Sequence, residues 1–266
     1  MDSQQTGIAQ RSTEKLYFDH KDMDYYLSWI IGREIYDGAD REECMATARR
    51  ITNADAASWQ REWRALAERV EAEAQAALDR GDSETARKTY LRACTYYRAP
   101  LFIMRRTDAA FDDNRRKMQA CFRQAAALFD PPIEAITVPF DGHALPGYAW
   151  KVDASGAKRP TLIVIGGIET FAEDCYFMVA SAATAHGFNA ITVDLPGQGM
   201  TPDEGLTFGA QMEFPLSAAL DVILRRPDVD PDRIAVFGFS WGGHIVFKGA
   251  AHDRRIKAMI ANPPMP

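Results

Sequence analysis

Arg233-Ile-Ala-Val-Phe-Gly-Phe-Ser-Trp-Gly-Gly243 is the stretch on which the fold turns. Arg233 to Phe239 is an apolar run without polar alternation, the pattern of a strand buried on both faces. Trp241 to Ala251 has the three-and-four spacing of a helix. Between them stands Gly238-Phe239-Ser240-Trp241-Gly242, a G-x-S-x-G sequence. Glycine and serine are common, so the strand before and the helix after give these five residues their meaning. A sharp strand-to-helix turn forces Ser240 into a strained backbone conformation and lifts its Oγ above the sheet. A side chain at 238 or 242 would collide with the neighbouring strand or helix, and Gly243 lets the helix sit close to the sheet. The Trp241 N–H then points at the oxyanion that forms when Oγ attacks a carbonyl. The alternative is a glycine-rich turn in some other doubly wound fold. A phosphate-binding loop fits poorly, because the spacing and lysine of G-x-x-x-x-G-K-[ST] are missing.

Outward from this turn, apolar runs alternate with helical stretches. Ile136–Phe140 and Ala144–Lys151 read as a hairpin around Asp141-Gly142. Thr161–Ile165 is a continuous apolar strand ending in Gly166-Gly167-Ile168-Glu169. Phe171–His186 reads as a helix, Ala190–Val193 as a strand and Phe208–Arg225 as a helix. Ile256–Ala261 is a last strand. Ala190–Val193 leads into Asp194-Leu-Pro-Gly-Gln-Gly199, a turn whose role is read as structural. Such alternation predicts a mostly parallel sheet covered on both faces.

The front half has a different period. Residues 20–130 are helical throughout, with Met23, Tyr26, Leu27, Ile30, Ile31 and Ile35 on one face of a segment over 23–35 and Trp59, Trp63, Leu66, Val70, Ala74 and Ala77 on another. Asp82 or Ser83 caps a further helix carrying Tyr90, Cys94 and Tyr97, which Pro100 bends or ends. The last front helix stops at Asp130-Pro131-Pro132. The expected organisation is a flexible N-terminus over 1–19, an all-helical domain over 20–130, and an α/β domain over 131–266.

The chain has 266 residues and a formal net charge of -6. That balance argues against nucleic acid as a partner, since phosphate binding needs a basic surface. No apolar run reaches the roughly 18 residues of a membrane span, and the polar N-terminus lacks a secretory h-region. Cys44, Cys94, Cys121 and Cys175 are scattered without a CxxC pair, which fits reduced thiols in a cytoplasmic protein better than a disulfide or zinc framework. No metal or cofactor is expected, and the partners are a small-molecule substrate with no nucleic acid and no membrane.

Taken together, residues 133–266 resemble the α/β-hydrolase superfamily. The helical front end, with Tyr90-Leu-Arg-Ala-Cys-Thr-Tyr-Tyr-Arg98, is similar to the branch that holds 2,6-dihydroxypseudooxynicotine hydrolase, the fungal polyketide-shortening hydrolases and the fermentation-respiration-switch esterases. The resemblance implies a serine hydrolase with Ser240 as nucleophile and the Trp241 N–H as one oxyanion donor. The second donor is the Ile168 N–H, with Gly167 as the alternative. Glu169 either binds substrate or sits in a solvated loop. The resemblance also implies a helical lid whose Tyr96, Tyr97 and Arg98 approach the pocket, against a reading in which the tyrosines are packing residues. It allows a homodimer and implies an ester or a ketone with a cleavable C–C bond as substrate.

This fold supplies its triad in the order Ser, acid, His. After Ser240 come only His244, His252 and Asp253 before Asn262-Pro-Pro-Met-Pro266. His244 lies one turn along the nucleophile's own helix and the other two at that helix's end, whereas the base must reach Oγ from a facing loop. His20, His143 and His186 read as surface or capping residues. The expectation is a sheet incomplete at its C-terminal edge, in a fragment of a longer protein of roughly 350 to 400 residues. The competing readings are a non-catalytic binding protein that keeps the fold and an amide or peptide hydrolase.

Overall fold

The computed structural model describes residues 15–262. Most of the segment read as a flexible N-terminus lies outside the described residues. The chain divides into two compact units, Met1–Ala125 and Ala126–Pro266.

The first unit is helical. Helix α1 spans Lys21–Ile31, α2 Arg41–Ala48, α3 Ala56–Asp79, α4 Ser83–Leu101 and α5 Phe111–Ala127. Their starts follow local chemistry. The side chains of His20, Asp40, Asp55 and Asp82 each accept a backbone N–H in the first turn of α1, α2, α3 and α4, satisfying a donor that the helix itself leaves open. Helices α3 and α4 form a long hairpin with a three-residue turn. Trp59, Trp63, Leu66, Val70, Ala74 and Ala77 on α3 are buried, as the three-and-four spacing predicts. Each large side chain removed from water this way contributes about 1.5–3 kcal/mol. The Trp59 indole N–H donates to the Ala99 carbonyl at 2.9 Å. Pro100 sits one residue before the end of α4.

The second unit is built on a six-stranded sheet: β1 Glu134–Phe140, β2 His143–Trp150, β3 Arg159–Ile165, β4 Asn189–Val193, β5 Val229–Phe239 and β6 Ala258–Asn262, in the order β1-β2-β4-β3-β5-β6. Strand β2 runs antiparallel to both of its neighbours, β1 and β4; β4, β3, β5 and β6 are parallel. Asp141 and Gly142 both adopt positive φ in the β1–β2 turn, the geometry that Asp-Gly favours in two-residue hairpins. Helices α6 Ser181–Ala185, α7 Glu213–Ile223 and α8 Trp241–His252 complete the unit. Leu216, Leu220 and Ile223 of α7 and Ile245 and Val246 of α8 join Ile163, Ile165, Val236 and Ile234 in one core. Among the described residues β6 is paired on one side only, and Ala258, Met259 and Ile260 are exposed.

Three helices differ from the periodicity. Helix α1 ends at Ile31, and Ile35, read as part of its apolar face, lies in a following 3-10 turn over Gly32–Tyr36 and is 75% exposed, because the tighter turn rotates it off that face. The stretch read as one helix over Phe171–His186 begins with turns, then widens into a π-helical turn at Tyr176–Ala180 before α6. Helix α7 begins at Glu213 rather than Phe208. Phe208 is held instead by the ring of Trp241, edge to face at 5.8 Å. Apolar spacing registers such a loop aromatic as a helix face.

Candidate active site

Strand β5 hands the chain to α8 through Ser240, whose backbone stands at φ 53 and ψ -127. This is sparsely populated for a residue with a side chain and costs on the order of 1–3 kcal/mol. The surroundings enforce it. The Ser240 N–H donates to the Asn262 carbonyl of β6 at 2.7 Å, and the Ser240 carbonyl accepts the Gly243 N–H at 2.9 Å. A Cβ on Gly238 would fall within 3.0 Å of the Gly242 backbone, and one on Gly242 within 3.0 Å of the carbonyl oxygens of Ile165 and Gly166. The turn is therefore wedged against the C-terminal end of β3, and Ser240 is left exposed above it.

The loop after β3 passes beside the serine. A Cβ on Gly167 would lie 2.9 Å from Ser240 Cβ and 3.2 Å from Oγ. The Gly167 N–H is already engaged, donating to Thr170 Oγ1 at 2.9 Å. Ile168 and Glu169 are exposed. Further along, the Phe171 N–H donates to Asp174, and the Tyr148 hydroxyl donates to buried Glu173 at 2.8 Å. Gln198 reaches in from the turn after β4: its Nε2 donates to the Gly166 carbonyl and lies 3.4 Å from the Gly167 carbonyl. Thr170 and Gln198 carried no signal in the sequence, being common polar residues in turns.

The structure thus brings Ser240, Trp241 and Gly167 together, with Ile168 next in the loop. Tyr96, Tyr97 and Arg98 belong to the helical unit and are buried there. The Tyr96 hydroxyl accepts the Asp40 N–H and donates to Glu43, the Tyr97 hydroxyl donates to Glu71, and the Arg98 guanidinium lies over the Phe102 ring at 4.1 Å. Burial, first of all, pushes both tyrosine hydroxyls far above their ordinary pKa.

Each of the five histidines is engaged elsewhere. His20 caps α1, His143 faces Glu204 at 3.5 Å, and His186 Nδ1 meets the Ala182 carbonyl. His244 stacks on Trp241 at 4.9 Å, and His252 packs against Phe214. Asp253 is bound by Arg255 and by the Ser217 hydroxyl, chiefly the former holding its carboxyl down at about 2. The four cysteines are buried and none of them is in a disulfide. Among the described residues no group of three or more His, Cys, Asp or Glu is placed to hold a metal ion, and no helix is long and apolar enough to cross a membrane.

A mostly parallel sheet with a strained serine at the β5–α8 turn defines an α/β-hydrolase fold. Residues 42–265 match the model of the family described as esterase FrsA-like, and the chain belongs to that family. It is 34% identical over 270 residues to Hydrolase ORFZ of Pyricularia oryzae, covering 94% of this chain and 62% of that protein. It is 32% identical to 20-hydroxy-prefusarin hydrolase FUS2 of Gibberella moniliformis, covering 87% and 58%. Among solved structures, that of 2,6-dihydroxy-pseudo-oxynicotine hydrolase superposes with a TM-score of 0.76 at 26% identity, over 87% of this chain and 64% of that one. The chain spans about three-fifths of the length of the relatives it matches.

Proposed function

We propose that this chain carries the nucleophile and oxyanion hole of a serine hydrolase acting on a small-molecule ester or a ketone with a cleavable C–C bond. The observation that carries the reading is the backbone of Ser240, held at positive φ by glycines on both sides with its side chain left exposed. Strain of this kind persists where function needs it. In the reaction Ser240 Oγ attacks the carbonyl carbon. The N–H groups of Trp241 and Ile168 receive the developing oxyanion, Gly167 being unsuitable because its N–H is already given to Thr170. Removing one such donor commonly costs 10²–10³ in rate.

Turnover also needs a general base, and none of the five histidines takes that place. The base and its acid are proposed to come from the part of the relatives' length that this chain does not span. The proposed substrate class is supported by two similar proteins, named 20-hydroxy-prefusarin hydrolase and 2,6-dihydroxy-pseudo-oxynicotine hydrolase. Glu169, exposed in the loop after β3, is the residue proposed to contact a polar substituent of the substrate.

The test is labelling with a fluorophosphonate, on this chain alone and within any longer product of its gene, with Ser240→Ala as control. Adduct at Ser240, lost in the variant, supports the reading. If neither form takes the label, the catalytic reading fails and a non-catalytic binding role replaces it.

A further inference from the structure

We propose that Gln198 is a positioning residue that aims the Ile168 N–H at the oxyanion; the proposal rests on Ser240 being the nucleophile. Gln198 lies in the turn between β4 and α7 and is 1% exposed. Its amide is used at both ends. Oε1 accepts the Leu195 N–H at 3.0 Å, and Nε2 donates to the Gly166 carbonyl while lying 3.4 Å from the Gly167 carbonyl. The oxygen meets an N–H and the nitrogen meets carbonyls, so the orientation of the amide is chemically determined.

The peptide group is planar, so fixing a carbonyl fixes the N–H of the following residue on the opposite side. The Gly166 carbonyl shares its plane with the Gly167 N–H. That plane is gripped twice, by Gln198 on the oxygen side and by Thr170 Oγ1 on the nitrogen side. The Gly167 carbonyl shares its plane with the Ile168 N–H. Gln198 grips the oxygen side of this plane too, which leaves the Ile168 N–H directed away from the clamp. Two consecutive glycines have the largest backbone freedom available to a chain, so without such a grip these planes would rotate, and a donor that must reorient during the reaction stabilises the oxyanion less. A second link, from the Gly199 N–H to the Thr170 carbonyl at 3.2 Å, ties the same two loops but does not touch either glycine's carbonyl.

The experiment uses Gln198→Met, which keeps length and burial but removes donor and acceptor, and Gln198→Asn, which keeps the amide and shortens its reach. Each is compared with the parent, alone and within any longer gene product. Two quantities are read: saturation kinetics of fluorophosphonate labelling, and amide hydrogen exchange over residues 166–171. The expected result for Gln198→Met is a maximal labelling rate reduced at least tenfold with half-saturation unchanged. Exchange of the Gly167 amide, protected by its bond to Thr170 in the plane that Gln198 also grips, should rise at least tenfold while the β5 and α8 amides stay as in the parent. Gln198→Asn should fall between, and decides the matter if the Met variant does not fold. Parent-like labelling in both variants overturns the proposal. If the parent itself does not label, the nucleophile reading has failed, and the clamp then stands or falls on exchange alone: unchanged exchange at Gly167 refutes it.

Discussion

Replacing Ser240 by glycine should destroy the nucleophile and stabilise the protein, and the size of the gain follows from the backbone. At φ 53 and ψ -127 a residue with a Cβ carries a strain on the order of 1–3 kcal/mol. Glycine relieves it but enlarges the entropy of the unfolded chain by about 0.5–1 kcal/mol. Ser240 is exposed, so little buried area is lost. The Ser240 N–H bond to the Asn262 carbonyl is a backbone bond and survives the change. The net is a gain of about 0.5–2 kcal/mol, or roughly 2–8 °C in Tm for a unit of this size. Ser240→Ala is the control, because it removes the same hydroxyl and keeps the Cβ and hence the strain. Urea denaturation of parent, Ser240→Ala and Ser240→Gly gives the comparison. A glycine variant no more stable than the alanine variant would refute the claim that the turn stores strain, and with it the main support for the nucleophile reading.

Other outcomes follow from the same geometry. Gly242→Ala drives a Cβ against the carbonyl oxygens of Ile165 and Gly166; backbone cannot yield cheaply, so urea unfolding should show a loss of about 3 kcal/mol or more. Gly167→Ala meets Ser240 Cβ at 2.9 Å, and should cut fluorophosphonate labelling about 100-fold with a smaller cost in stability than Gly242→Ala. Asp253 is held at about 2 by the Arg255 side chain, against the opposing pull of burial, with help from the Arg255 N–H and the Ser217 hydroxyl. Its folded pKa lies below the unfolded value of about 3.9, so its contribution is complete above that value and disappears as pH falls toward 2. Arg255 is partly exposed, which reduces that contribution to about 1–2 kcal/mol. Thermal unfolding of Asp253→Asn should then match the parent near pH 2 and fall below it by pH 5; a constant gap across that range would contradict the assignment.

How far the sequence alone could lead differs from element to element. The long helices of the front unit were legible because their buried faces recur at three and four residues, and because Asp40, Asp55 and Asp82 cap where aspartate is expected to cap. The parallel strands were legible because burial on both faces leaves no polar alternation. Helix α7 was read as starting five residues too early because Phe208 is apolar for a local reason, its ring against Trp241. The π-helical turn at Tyr176–Ala180 left no trace in the spacing. The serine turn stood out because its glycines are forced by contact with backbone atoms, a constraint that no other residue type meets. Tyr96 and Tyr97 attracted notice as aromatics, yet their hydroxyls are spent on Glu43 and Glu71.

Gln198 was invisible for the opposite reason to Ser240. A strained serine needs glycines around it, and glycines in a fixed pattern can be read. A clamp needs one amide whose two ends meet the right partners; Oε1 meets the Leu195 N–H three residues away, but Nε2 meets backbone carbonyls 32 and 31 residues away in Gly166 and Gly167. Backbone carbonyls carry no identity in a sequence, so nothing marks the turn after β4 as part of the site until β3 and β4 are laid side by side. The sheet order supplies that adjacency: β4 pairs directly with β3, so the loops at their C-terminal ends must meet, and β5 on the other side of β3 delivers Ser240 to the same place. The oxyanion loop is thereby held between two turns. On the proposed reading one of them, on β5, carries the nucleophile, and the other, on β4, fixes the direction of the N–H that answers it.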